Sequence, residues 1–201
     1  EYTEKWIEMV QEVGPPQWPS YTWYDVSSDI GSGAAAMAYD ADILGYFQED
    51  DGLEKGHIAW APPPGLNDST NSPNIWIWSL AMNASSNSKK PAWYFLQWAT
   101  GKDFLGKAAV DHQLVNPVRS SVWESESFRE KLENFSGYYE TYQEVKDNAA
   151  VQFTPTPIFF QTTTEWASSL HKIYGGEMSA EEALDALAEE LKDVLESYGY
   201  K

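Results

Sequence analysis

The chain has 201 residues, contains no cysteine and carries a formal net charge of −18 at pH 7. This length allows one domain or two small ones, each with apolar residues enough for a core. The charge argues against partners such as nucleic acid or an anionic membrane surface, and the lack of cysteine excludes disulfides and thiol catalysis. Aromatic residues make up 15% of the chain, which fits either a large aromatic core or a carbohydrate-binding surface.

The N-terminal segment predicts an amphipathic helix that ends at Gly14-Pro15-Pro16, since glycine and proline stop helices. The helix already includes Glu1, so we expect the chain to be a piece of a longer protein. Its apolar face consists of Trp6, Met9, Val10 and Val13.

Short apolar segments and helices alternate along the rest of the chain, which indicates an α/β protein. Residues 34–39, residues 57–62 and the segment from Ile75 to the polar turn Ser85–Ser88 have the composition of strands. Helices are predicted near residues 25, 43–47, 92–99, 103–111, 124–132, 138–146 and 159–174. The last helix follows Ser179, which forms a capping box with Glu182.

Two tryptophans and two aspartates near predicted strand ends are candidates for contacts with a polyhydroxy solute. Trp76 and Trp78 lie on one face of the predicted strand, and flat indoles are good platforms for sugar C–H groups. Asp40 ends the strand that carries Tyr39, and its carboxylate can accept two hydroxyl groups. For Asp42 the sequence favours a helix N-cap role over solute binding.

Further along the chain, Arg119 lies in the extended segment Asn116-Pro-Val-Arg119, where a rigid backbone can hold its guanidinium at the edge of a cleft. A surface or ion-pair role for this arginine is equally compatible. Phe159, Phe160 and Gln161 begin a helix after a proline break, so they could form core packing or offer stacking and hydrogen-bond donors. The three histidines have no metal-ligand spacing, and no phosphate-binding or nucleophile motif occurs, so we expect no metal and no cofactor.

Five segments in order resemble the C-terminal half of a family 1 extracellular solute-binding protein of an ABC importer, in its sugar- and polyol-binding branch. They are Gly-Ser-Gly-Ala-Ala-Ala-Met-Ala-Tyr-Asp (31–40), Ile-Ala-Trp-Ala-Pro-Pro-Pro-Gly (58–65), residues 78–100 from Trp-Ser-Leu-Ala-Met-Asn, Asn-Pro-Val-Arg-Ser-Ser-Val-Trp (116–123) and Gly-Glu-Met-Ser-Ala-Glu-Glu-Ala-Leu (176–184). Together they extend over nearly the whole chain.

The resemblance implies a periplasmic-binding-protein-like fold of type II, with two α/β lobes that close over a solute. By this analogy, residues 1–73 and 119–201 belong to the C-terminal lobe, and residues 74–118 return to complete an N-terminal lobe whose main body is missing here. The resemblance also implies an extracytoplasmic, non-enzymatic protein that delivers a sugar or polyol to the permease subunits. It places Asp40, Trp76, Trp78 and Arg119 at positions that match the family's solute contacts, and Gln161 approximately so. Tyr39 and Asp42, the neighbours of Asp40 in the sequence, complete the candidate set of ligand-binding residues.

Two other classes of function compete with this one. A glycoside hydrolase would use Asp40 and a second carboxylate on the opposite side of the glycosidic bond, but no motif places such a partner. A carbohydrate-adhesion module would fold alone and present an open aromatic surface.

Overall fold

Helices dominate the computed structural model, which describes residues 1–64, 73–112, 114, 116–153 and 156–200, apart from the side chains of Asp50 and Asp51. Within these ranges there are ten α-helices, and a short 3₁₀ helix spans Trp18–Ser20. The α-helices are α1 (Tyr2–Val13), α2 (Trp23–Ser32), α3 (Ile43–Asp51), α4 (Lys89–Ala99), α5 (Lys102–Asp111), α6 (Ser120–Trp123), α7 (Glu126–Leu132), α8 (Tyr138–Val145), α9 (Phe159–Tyr174) and α10 (Ala180–Ser197).

The chain divides into two compact units. Unit 1 contains residues 1–21 and 153–201, and unit 2 contains residues 22–152. This division reflects contacts within the chain, and the assignment of 1–73, 74–118 and 119–201 to the lobes of a longer protein stays a prediction.

Unit 1 is built from α1, α9, α10 and the 3₁₀ helix. Its buried cluster consists of Ile7, Ile173, Ala180 and Ala183. The Trp18 ring packs 4.9 Å from Tyr174 and 5.4 Å from Trp6, measured between ring centroids, which fastens the 3₁₀ helix to its neighbours. The helix predicted at the N-terminus and the helix predicted over 159–174 are both confirmed.

Unit 2 contains the larger core, and most of it comes from the helices that follow residue 100. The buried members are Tyr46, Leu105, Ala109, Val122, Trp123, Phe128, Leu132, Phe135 and Tyr138. Aromatic rings make up five of these nine side chains, so much of the tryptophan, tyrosine and phenylalanine in the chain serves packing. The core therefore accounts for part of the aromatic excess without any contribution from ligand binding.

The predicted strands are wrong for the described residues. Residues 34–39 and 75–82 form no ladder, and the segment 57–62 contributes one residue to an isolated parallel bridge, Ala59 with Ser136. A second isolated bridge joins Asn74 to Ala150. A buried strand needs a hydrogen-bonding neighbour and an apolar face to cover it. Within the described ranges, bridging to a neighbouring segment is limited to these two isolated bridges, and the apolar side chains of residues 75–82 stay largely exposed, with Trp78 at 95%.

Candidate functional site

A polar cluster in unit 2 joins Asp42, Asn116 and Tyr138, which are far apart in the sequence. Asn116 Nδ2 donates to Asp42 Oδ1 at 2.9 Å, and the Tyr138 hydroxyl donates to Asp42 Oδ2 at 2.8 Å. The same hydroxyl is in hydrogen-bond contact with Asn116 Oδ1. Because a tyrosine hydroxyl has one hydrogen, it is shared between the carboxylate and the amide oxygen. We call these three residues the polar cluster.

Local backbone features bring each member of the polar cluster into place. Asp42 precedes the first turn of α3, but its side chain makes no cap hydrogen bond, so the predicted N-cap role of this carboxylate is wrong. Its carboxylate oxygens instead accept hydrogen bonds from Asn116 and Tyr138. Asn116 has a φ of 49°, a left-handed conformation that asparagine adopts more readily than most residues.

Tyr138 is the first residue of α8 and follows Gly137, whose φ is 76°. A Cβ atom at Gly137 would lie 2.5 Å from the carbonyl oxygen of Trp60, so this approach requires glycine. Trp60 also donates from its indole Nε1 to the Asp42 carbonyl oxygen at 3.0 Å. The start of α8 and the start of α3 are thereby held together through both backbone and side-chain contacts.

Aromatic packing surrounds the Tyr138 ring and removes it from water. Tyr138 is 3% exposed, and the Trp60 ring meets it edge-on with 5.1 Å between the centroids. Burial is the main cause that raises the pKa of Tyr138 far above its ordinary value, and the charge of Asp42 is the next largest. The hydroxyl therefore stays protonated and remains a permanent donor in the cluster.

Two predicted solute-binding segments meet at the polar cluster. One is Tyr39–Asp42, in which the Asp40 side chain is exposed and its Oδ1 accepts from the backbone N–H of Ala41 at 2.6 Å. The other is Asn116–Arg119, in which the exposed Arg119 donates from Nε to the Thr100 carbonyl oxygen at 2.8 Å. The hydrogen bond from Asn116 to Asp42 is the direct link between these two segments.

The structure does not gather all of the predicted site residues. Tyr39 is 82% exposed, and Trp76 and Trp78 lie exposed on the extended segment that precedes α4. Gln161 is exposed in the first turn of α9, which belongs to unit 1, whereas the other six residues belong to unit 2. The role of these residues in solute binding stays a prediction.

Sequence reasoning missed Asn116 and Tyr138 as members of a site. In the sequence, Asn116 is only one member of a prolyl segment, and Tyr138 is one of 12 tyrosines. The one available signal was Gly137 directly before a predicted helix, since glycine there permits a close backbone approach. Nothing in the local pattern links residue 42 to residue 116 or residue 138.

The exposed groups of these segments are hydrogen-bond acceptors, donors and aromatic rings. Asp40 supplies carboxylate oxygens as acceptors. Arg119 supplies its terminal guanidinium nitrogens as donors, in addition to the Nε that donates to Thr100. Such groups can form hydrogen bonds with the hydroxyl groups of a polyhydroxy molecule and can pack against its C–H groups. Among the described residues, no cluster of three or more acidic or histidine side chains could hold a metal ion, and no helix is long and apolar enough to cross a membrane.

Comparison with known proteins places the chain in a family. Over 182 aligned residues, which cover 90% of the chain, it is 41% identical to an erythritol/L-threitol-binding protein of Mycolicibacterium smegmatis. It is also 26% identical, over 97% of its length, to a mannitol-binding protein of Pseudomonas aeruginosa. The aligned regions span 38% and 48% of those relatives, respectively. Residues 1–104 match the profile of the bacterial extracellular solute-binding proteins, and the chain therefore belongs to this family.

Proposed function

We propose that the full-length protein that contains this chain is the extracytoplasmic binding component of an ABC importer for a sugar alcohol or a related sugar. The observation that carries this proposal is the 41% identity, over 90% of the chain, to a protein named for binding erythritol and L-threitol. The named ligand of the second relative, mannitol, is also a linear polyol. Shared ligand chemistry in both relatives supports a polyol in preference to an anionic or apolar solute.

The exposed side chains of unit 2 supply groups that a polyol requires. A linear polyol offers a hydroxyl on every carbon, and each hydroxyl can both donate and accept a hydrogen bond. Asp40 accepts such bonds and Arg119 donates them, whereas an indole such as Trp78 covers the C–H face of the carbon chain. The net charge of −18 disfavours an anionic solute at the same surface.

The apolar surface of residues 75–98 supports the assignment of this segment to a second lobe. Helix α4 has no buried residue, and eight large apolar side chains in the segment are each more than half exposed. They are Trp76, Ile77, Trp78, Leu80, Trp93, Tyr94, Phe95 and Trp98. Exposed apolar side chains in such number are normally covered by other protein. In the proposed type II fold, residues 74–118 complete the N-terminal α/β lobe, and residues 1–73 and 119–201 form the C-terminal lobe.

Closure of the two lobes over the polyol would remove water from the hydroxyl contacts and strengthen them. The closed form would then be the state that the permease subunits recognise, because hinge closure changes the surface that both lobes present. The protein would act outside the cytoplasmic membrane and would bind its solute without altering it.

A thermal-shift and calorimetric series on the full-length protein tests the proposal. Erythritol, L-threitol, mannitol and the matching aldoses are the ligands, and a polyol at a hundredfold excess over its Kd should add about 2.7 kcal/mol to the free energy of unfolding. Asp40→Asn should raise the polyol Kd about tenfold, which corresponds to about 1.4 kcal/mol. Asp185→Asn, an exposed aspartate on α10, is the matched control and should leave the Kd unchanged.

Two outcomes would contradict this function. If no polyol or sugar stabilises the full-length protein, the assignment to polyol import is wrong. If the protein hydrolyses chromogenic glycosides and Asp40→Asn abolishes the turnover, the chain belongs to an enzyme.

A further inference from the structure

The polar cluster joins three residues that are far apart in the sequence through side-chain hydrogen bonds. Each of its three members bonds to the other two, so the carboxylate, the amide and the hydroxyl form a closed ring of hydrogen bonds. The ring is anchored on one side by the buried Tyr138, while Asp42 and Asn116 remain exposed. Asp42 and Asn116 lie in the same segments as the exposed Asp40 and Arg119, respectively.

The segment Asn116–Arg119 is fixed at three separate points. Asn116 is held by the polar cluster, the Pro117 carbonyl oxygen accepts from Trp123 Nε1 at 2.7 Å, and Arg119 bonds to Thr100. Trp123 is itself clamped by the Tyr142 ring, which stacks on it at 3.7 Å between centroids. These contacts together fix the position of the four residues 116–119.

Asn116 adopts its left-handed backbone conformation within this segment. A residue other than glycine in this region costs roughly 1–3 kcal/mol, and such residues persist where the surrounding contacts hold them. The side-chain bonds to Asp42 and Tyr138 supply that restraint. Without them the backbone at Asn116 could relax, and the direct link between the Asn116–Arg119 segment and the Tyr39–Asp42 segment would be lost.

We propose that Asp42, Asn116 and Tyr138 are positioning residues for solute binding. They hold the Tyr39–Asp42 segment and the Asn116–Arg119 segment in the mutual arrangement that meets the polyol. This inference rests on the proposed function and deepens it, since it adds Asn116 and Tyr138 to the site and gives Asp42, already a candidate solute contact, a positioning role that acts through Asp40 and Arg119.

The test measures polyol Kd in the full-length protein at a temperature at which every variant is folded by circular dichroism. Tyr138→Phe removes one hydroxyl and keeps the ring packing, and it should raise the Kd about five- to tenfold. Asn116→Gly keeps the left-handed backbone accessible and removes the amide, and it should raise the Kd to a similar extent. Tyr139→Phe, on the next residue of α8, is the control and should leave the Kd within twofold of the parent value.

A reciprocal exchange separates positioning from general stability. Asn116→Asp alone places two carboxylates against each other and should weaken binding most. The double variant Asp42→Asn with Asn116→Asp restores an amide facing a carboxylate, and it should recover most of the lost affinity. A purely structural role would lower the melting temperature of these variants while the Kd stayed constant.

The outcomes distinguish the two proposals. If the parent protein binds a polyol and the Kd is unchanged in Tyr138→Phe and Asn116→Gly, the positioning role is overturned and the polyol function stands. If the affinity falls in the single variants but the double variant shows no recovery, the pairing of Asp42 with Asn116 is not the cause. If the parent protein binds no polyol, both proposals fail.

Discussion

Glu49 shows how one buried carboxylate can order a turn. The residue is 5% exposed, and its two oxygens accept from the backbone N–H of Gly56 at 2.7 Å and of Ile58 at 3.3 Å. These bonds satisfy two donors in the turn that connects α3 to the Ala59 bridge. Since Trp60, a neighbour of the polar cluster, follows directly, the order of this turn also bears on the proposed site.

Replacing Glu49 should therefore destabilise unit 2. A hydrogen bond to a charged group is worth about 1.5–3 kcal/mol, so we expect Glu49→Ala to lower the free energy of unfolding by about 2–4 kcal/mol. Urea unfolding followed by tryptophan fluorescence gives the total, and hydrogen exchange at the amides of Gly56 and Ile58 gives the local effect. Glu130→Gln, an exposed residue on α7, is the control. Unchanged exchange at both amides would show that the carboxylate does not hold the turn.

Helix ends in this chain depend on short-range contacts, and α10 is the clearest case. Ser179 Oγ accepts from the backbone N–H of Glu182 at 3.2 Å, and the Glu182 carboxylate accepts from the Ser179 backbone N–H at 3.0 Å. The Ser179 hydroxyl also donates to this carboxylate at 2.8 Å. The two bonds that the carboxylate accepts lower the pKa of Glu182 below its ordinary value, with the backbone bond as the larger cause. At the start of α2 the Asp25 carboxylate accepts from the Thr22 hydroxyl and from the Thr22 backbone N–H, each at 2.6 Å. These bonds lower the pKa of Asp25, and the hydroxyl bond is the larger cause.

The depressed pKa of Glu182 predicts an acid-sensitive contribution to stability. A carboxyl whose pKa is lower in the folded state contributes its full stabilisation above the unfolded value of 4.5 and loses it as the pH falls through the folded value. Glu182→Gln can still form a capping box but does not titrate. We expect this variant to melt below the parent protein at pH 7, and the difference to shrink as the pH falls below 4.5. A difference in melting temperature that is independent of pH would contradict the assignment.

The elements that the sequence predicted well are those specified locally. The end of α1 at Gly14, the limits of α9 and the capping box of α10 each depend on residues within a few positions of one another. The strand prediction for residues 34–39 was wrong because a strand forms only beside a partner strand, and the described residues provide none for this segment. The polar cluster could not be predicted from the sequence because Asn116 and Tyr138 lie 74 and 96 positions from Asp42. Periodicity within a segment does not detect contacts over such separations.

The net charge of the chain as a whole opposes its compaction. With 31 acidic residues against 13 lysines and arginines, many carboxylates have no cation to pair with, and their mutual repulsion favours the expanded chain. Salt screens this repulsion, because the Debye length falls from about 30 Å at 0.01 M to about 3 Å at 1 M. The acidic surface is compatible with a solute that is neutral, and it makes the stability of the protein depend on ionic strength.

We expect the melting temperature of the 201-residue chain to rise by several degrees as sodium chloride increases from 0.01 M to 0.5 M. The double variant Asp185→Lys with Glu189→Lys replaces two exposed acids of α10, and it should show a smaller dependence on salt because it reduces the repulsion that salt screens. Sucrose at matched osmolality controls for general solvent exclusion and should stabilise both proteins equally. A melting temperature that falls with added salt would mean that attractive charge pairs outweigh the repulsion, and the net charge would then not be the dominant electrostatic influence on stability.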